Sequence, residues 1–360
     1  MDILFILEKS VIILVVFAIT MLIALYSTFG ERVFAAYFQD RLGPNRAGPL
    51  GLLQPLADGV KMFTKEDFIP DTPNKFLFIF GPFMFMTTAL ISSSVIPWGD
   101  KLVIMGRTIQ LQAADINVAI LFVFGVVSIG VYGIMIGGWA SNNKFSLLGA
   151  VRASSQMISY EVAMGLSIIA VLMVSETLSL RGIVEKQHGF IDWTAIKIGN
   201  TYLPWFSWYV FKQPLAFLIF LICAFAETNR TPFDLPECES ELVGGYHTEY
   251  SSMKLGFYLF AEYINMFISS ALIALLFFGG FNYPGMDWVS NNIGVNAATL
   301  LGVGAMFAKT LFGIFFYMWV RWTVARFRYD QLMNLGWKIL IPLAIVNIVV
   351  TGAVVLFTTN

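Results

Sequence analysis

Eight runs of roughly 20 mostly apolar residues, at 9–29, 76–97, 116–138, 156–175, 211–227, 255–280, 297–320 and 337–358, restrict this chain more than any other feature. Wound as α-helix at 1.5 Å per residue, a run of about 20 matches the ~30 Å hydrocarbon thickness of a bilayer. An unpaired backbone group in lipid costs several kcal/mol, so only helices or a closed barrel can span. The period-two alternation of barrel strands is missing from these runs. With 58% hydrophobic and only 12% charged residues, the 360-residue chain also falls outside the range of soluble domains. The sequence therefore predicts an all-α polytopic membrane protein, a single membrane domain over 1–360 with eight transmembrane helices. Because MDILFILEKS carries acids early and no basic leader, the first run is expected to stay as a helix rather than be cleaved as a signal.

Charge and composition narrow the function classes. A net charge of −1 with no basic cluster gives no footprint for nucleic acid. Cys223, Cys238, His188 and His247 are the only cysteines and histidines, too few for a disulfide framework, an iron–sulfur site, a haem or a zinc centre. No metal or bound cofactor is expected within this chain. With the N-terminus outside, the segments 30–75, 139–155, 228–254 and 321–336 share one side and hold fourteen Lys and Arg with their flanks, against seven on the other side; Lys309 lies within a span. That excess predicts that the four segments face the cytoplasm or matrix. No internal repeat is visible, which weighs against an inverted-repeat transporter.

Each inner segment has its own chemistry. In 30–67, Gly43-Pro44-Asn45-Arg46 and Gly48-Pro49 mark tight turns, after which Leu52, Leu53, Leu56, Val60 and Phe63 fall on one helical stripe. Gln54, Asp58, Lys61 and Lys65 occupy the other faces, the pattern of a short amphipathic helix lying in the interface. It reads either as a solvated connector with anchoring arginines or as one wall of an amphiphile's entry path. In the second segment Tyr160-Glu161 already lies inside the fourth span, where a lone carboxylate is a functional candidate or a structural hydrogen bond to a neighbouring helix.

The third segment, ETNRTPFDLPECESE at 227–241, packs five carboxylates and Arg230 directly after an apolar run. If the chain after Pro236 is helical, Asp234, Glu237 and Glu241 share a face. Like charges that close cannot all remain ionised, so at least one is expected to hold its proton toward neutral pH. The alternative is a hydrated acidic loop, which the interleaved Pro232, Phe233, Leu235 and Pro236 disfavour. Glu262 continues the series into the sixth span. The fourth segment, WVRWTVARFRYDQLMNLGWK, reads as an interfacial anchor. Lys309, about three turns inside its span, is too deep to snorkel easily, and pairing with Glu262 or Glu161 is the expectation.

The strings GPNRAGPLGLLQPLADGVKMFTKED, ETNRTPFDLPECESELVGGYHTEY, AEY at 261–263 and RFRYDQLMNLGWK resemble the H-subunit family of bacterial complex I (NADH-quinone oxidoreductase), equivalent to NADH dehydrogenase subunit 1 of mitochondria. The resemblance runs from about residue 26 to 345, leaving 176–210 idiosyncratic; Cys238 departs from the small residue expected there. It implies a subunit that joins the peripheral electron-transfer arm to the proton-pumping membrane arm and lines the quinone access chamber. Arg32, Arg41, Arg46, Gln54, Asp58, Phe63, Arg230, Phe233 and Asp234 are the residues implied for that chamber. Glu161, Glu227, Glu237, Glu239, Glu241 and Glu262 are implied as the acidic channel toward antiporter-like subunits, and Lys309, from its depth in the span, is counted with them as a proton-relay residue.

Quinone would be the substrate, with NADH, FMN and iron–sulfur clusters handled by partner subunits. Those partners are the peripheral quinone-site and terminal iron–sulfur subunits, the small and antiporter-like membrane-arm subunits, and membrane lipids. The location implied is a bacterial inner membrane, with the mitochondrial inner membrane as alternative. Two other functions stay open at this stage: the membrane subunit of an energy-converting hydrogenase, and a stand-alone ion or solute transporter using Glu161, Glu227 and Glu262.

Overall fold

Helix starts in this chain are written in short polar residues and prolines. Asn74 accepts from the amides of Phe76 (3.1 Å) and Leu77 (3.4 Å), and Asn143 accepts from that of Phe145 (2.9 Å), so each satisfies orphan donors at a helix N-terminus. The computed structural model describes residues 3–71, 74–104, 106–188, 197–198, 201–202, 207–236 and 239–359. In chain order its helices are α1 Ile3–Phe38, α2 Gln54–Thr64, α3 Lys75–Ser93, α4 Ala119–Ala140, α5 Lys144–Ser175, α6 Leu180–Lys186 and α7 Tyr209–Lys212. There follow α8 Pro214–Glu227, α9 Glu239–Leu242, α10 Ser252–Phe277, α11 Met286–Asn292, α12 Val295–Thr323, α13 Tyr329–Asn334 and α14 Ile341–Thr359, the last two joined by a π-turn at Leu335–Leu340. An antiparallel hairpin, β1 Lys101–Ile104 with β2 Arg107–Gln110, registers Lys101 with Gln110.

Among the described residues, seven helices are long and apolar enough to cross a membrane, not eight. The difference is α8, whose 14 residues cover only ~21 Å. The apolar run at 211–227 is broken because Pro214 disfavours helical geometry at the residue before it, and Gln213 sits at φ −132° and ψ 58°. The Gln213 amide side chain at the break is held from α14: its Nε2 donates to Thr351 Oγ1 (3.0 Å), and Asn347 Nδ2 donates to its Oε1 (3.3 Å). Other ends also move. α1 continues through Arg32 to Phe38, and α5 begins at Lys144, so residues 30–38 and 144–155 of the expected loops are helix.

The four charge-rich segments meet at one end of the bundle. Ser252 Oγ donates to the Met62 carbonyl (3.0 Å), Lys254 pairs with Asp67 (2.6 Å), Ser146 Oγ donates to the Tyr246 carbonyl (2.8 Å) and Arg326 pairs with Asp234 (2.9 Å). At the opposite end Arg181 of α6 pairs with Asp100 and with Glu185 (3.0 Å), and Thr299 Oγ1 donates to the Lys101 carbonyl (2.9 Å).

Lys309 belongs to that second end, and the expected pairing with Glu262 or Glu161 is not what the structure contains. Its ammonium donates to the carbonyls of Phe278 (2.8 Å), Gly280 (2.7 Å) and Asn282 (2.6 Å), and stands 4.7 Å over the Trp208 ring. Beyond α10 the chain turns through Gly279 (φ 71°) and Gly280 (φ 53°), which aims these carbonyls inward. All three of its N–H groups have backbone acceptors, so it works as a cap on a helix end rather than as half of an acid–base pair.

α3, α4 and α10 approach closely because glycines line the seam. A Cβ on Gly137 would lie 1.9 Å from the Tyr258 hydroxyl and 3.0 Å from that of Tyr250. Burial pushes the Tyr250 phenol up to about 12, so it serves as a neutral donor to the carbonyls of Phe78 and Gly137. Gly137→Ala is expected to destabilise by about 1–3 kcal/mol through overpacking. Gly125→Ala, where nothing lies within 4 Å of the added carbon, should leave stability unchanged or slightly higher. The thermal midpoint of the detergent-solubilised protein compares the two.

Candidate functional site

The first three apolar turns of α10, the end of α1 and the end of α12 splay apart at the charge-rich end, and α2 lies across the gap. They enclose a cavity of about 360 Å³. Leu25, Ala35, Pro55, Met62, Leu259, Phe260 and Trp322 supply an apolar wall, while Glu31, Arg32, Arg41, Asp58, Tyr263 and Arg321 supply polar groups. A mostly apolar hollow with a few convergent charges suits an amphiphile that has a flat polar head and a greasy tail.

One carboxylate organises the polar side. Glu31 is buried; its acid pairs with Arg321, lies 3.5 Å from the Arg230 guanidinium and accepts from the Tyr263 hydroxyl at 2.6 Å. Arg230 in turn stacks 4.3 Å over the Tyr263 ring. Across the cavity mouth Arg32 pairs with Asp58 at 2.7 Å, and Gln54 holds Asp58 from the same helix at 3.1 Å. Neither Glu31, Tyr263 nor Arg321 stands out in the sequence as a site residue. Glu31 carried a usable signal, a carboxylate beside Arg32 only two residues past the apolar run at 9–29.

Of the residues expected at the chamber, Arg32, Arg41 and Asp58 line the cavity. Arg230 sits behind the wall, touching it through Glu31 and Tyr263. Arg46 is exposed in the turn before α2, and Phe63, 72% exposed, lies on the outward apolar stripe of α2 with Leu56 and Val60. Phe233 is core, its ring 5.4 Å from Tyr160 and 5.5 Å from Phe327. Asp234 is buried against Arg326.

The acids distribute along a different line. Glu262 is buried in α10 and accepts from the Tyr246 hydroxyl at 2.6 Å. Glu227 closes α8 beside a void of about 20 Å³ shared with Thr228, Asn265 and Ser269, large enough for one water. Glu161 of α5 accepts from Ser128 of α4 and acts electrostatically on Glu227. Glu241 departs from this line: it is exposed and pairs with Arg152 at 2.6 Å. Among the described residues the helix expected to align Asp234, Glu237 and Glu241 is seen only as α9, Glu239–Leu242, and Asp234 lies before it in irregular chain. Glu237 and the side chain of Glu239 lie outside the described residues. Among the described residues no three His, Cys, Asp or Glu side chains converge as a metal site.

Fold and site together define a polytopic α-helical membrane protein with a part-charged, part-apolar cavity at one end and further acids, Glu161, Glu227 and Glu262, within its helices. The chain belongs to the NADH dehydrogenase family, whose model matches residues 10–352. It is 66% identical over 352 residues to the H subunit of the NADH-quinone oxidoreductase of Flavobacterium johnsoniae, covering 98% of this chain and 96% of that one. The corresponding protein of Flavobacterium psychrophilum is 68% identical with 98% of both chains covered, and an H subunit of the Geobacter sulfurreducens oxidoreductase is 47% identical over 95% and 93%.

The Glu31 cluster makes a direct prediction. Glu31→Gln leaves Arg230 and Arg321 without their shared counter-charge, and breaking a buried pair in this way costs about 3–5 kcal/mol. The variant is expected to lower the thermal midpoint and the yield of folded protein. Arg32→Gln, at a half-exposed pair worth under about 1 kcal/mol, should not.

Proposed function

We propose that this chain acts as the H subunit of a proton-translocating NADH-quinone oxidoreductase, admitting quinone into the α1–α2–α10–α12 cavity and passing the effect of its reduction to the embedded acids. The family and the names of the relatives support the quinone-linked activity over the hydrogenase and transporter readings. The quinone headgroup, two carbonyls on a ring, suits a cavity whose polar groups include the donors Arg32, Arg41 and Arg321; the apolar wall suits the tail. Electrons arrive through NADH, FMN and iron–sulfur centres held by partner subunits.

The observation that carries the coupling is that the two clusters occupy consecutive positions of one helix. Tyr263 lines the cavity and binds Glu31, while its neighbour Glu262 faces Tyr246 and the acid segment. A charge change at the cavity therefore reaches the acids across a single peptide unit and through the Arg230 turn, which also carries Asp234. Beyond Glu262 the line continues to Glu227, with its water-sized void, and to Glu161 with Ser128. Their protonation states are coupled, and redox events at the cavity shift them together. The charge-rich end, with its excess of Lys and Arg, faces the cytoplasm in a bacterial inner membrane and docks the peripheral subunits there. The membrane-arm subunits continue the proton path.

Glu161→Gln in the assembled complex tests the coupling. Proton translocation per quinone reduced is expected to fall several-fold, with quinone reductase turnover falling as well in sealed vesicles. Unchanged values for both would remove Glu161 from the path.

A further inference from the structure

We infer that Tyr246 is a positioning residue for the coupling step: its hydroxyl fixes the Glu262 carboxyl and ties it to the segment that carries the acidic stretch. The inference rests on the coupling role proposed above for Glu262. Tyr246 is completely buried and lies only a few residues beyond α9, and its hydroxyl donates to Glu262 Oε1 at 2.6 Å. A hydrogen bond of that length from a phenol to a carboxyl is at the strong end of the range.

The position of Tyr246 is set by more than this bond. Ser146 Oγ of α5 donates to its carbonyl at 2.8 Å. Gly149, one turn further along α5, lets the backbone of Gly245 and Tyr246 press so close that a Cβ there would lie 2.7 Å from the Tyr246 amide. On the upstream side Val243 is held at φ 66°, a left-handed conformation that β-branched residues rarely adopt, and Gly245 at φ 64°. The ring then packs edge-on against Tyr258, with centroids 5.2 Å apart. A side chain held from four directions delivers its hydroxyl to one place. Any displacement of the segment joining α9 to α10 withdraws that hydroxyl and releases the Glu262 carboxyl from the place where it is held.

Tyr246→Phe tests this in membranes containing the whole assembled complex, with Tyr258→Phe and Glu262→Gln beside it. Tyr258→Phe keeps the ring that packs on Tyr246 but removes an equally buried hydroxyl that donates to the Gly133 carbonyl instead, so it reports the loss of a buried hydroxyl that does not reach Glu262. Proton translocation in Tyr246→Phe is expected to fall roughly ten-fold, the value of one hydrogen bond to an ionised group. The carboxyl infrared band that vanishes in Glu262→Gln should also change frequency, and Tyr258→Phe should alter neither. If Tyr246→Phe behaves like the unmodified complex or like Tyr258→Phe while Glu262→Gln loses translocation, the role of Tyr246 is overturned and the coupling role of Glu262 stands. If Glu262→Gln itself translocates normally, the coupling role fails; the band frequency in Tyr246→Phe then decides the contact by itself.

Discussion

The buried carboxylate of Glu31 is the contact on which both halves of the site depend. Two guanidiniums and a phenol converge on it from three separate parts of the chain: Arg230 from the turn after α8, Arg321 from the end of α12, and Tyr263 from the middle of α10. Cations placed this close would repel one another and pay for desolvation without a shared anion, so Glu31 lets three segments close on α1 at bilayer depth. The cavity wall, the Arg230 turn and the start of the acid line are all positioned by that closure.

Much of the architecture was legible because lipid leaves few solutions. An apolar run of about 20 residues must be a helix, and among the described residues seven such helices stand where the runs lie. What the runs did not reveal was where polar chemistry interrupts them. Hydropathy counts Pro214 as one more residue in an apolar stretch, although it ends α7 and shortens α8 to a half-span. In the same way α1 and α5 project past their apolar cores, since a helix needs no hydrophobic residues once it leaves the bilayer.

The site was legible in part, for a similar reason. Charge density marked the right segments, and Arg32, Arg41 and Asp58 do surround the cavity. Composition could not say which acids would be drawn inward. Glu241 stays outside because Arg152 meets it at the surface, and Phe233 turns into the core because Tyr160 and Phe327 offer it rings. Lys309 shows the limit most plainly. A lone membrane lysine suggests an acid as partner, yet peptide carbonyls exposed by a glycine turn satisfy it equally well, and no sequence pattern announces that such carbonyls will be there.

Glu262 and Tyr263 differ in orientation by about 100° on α10. A helix backbone is stiff over one residue, so the two side chains cannot turn independently. A small roll of α10 that presses Tyr263 into the cavity swings Glu262 along the same arc, away from or toward the loop that holds it. The angle between the group facing the cavity and the group facing Tyr246 is thereby set by the geometry of the α-helix itself.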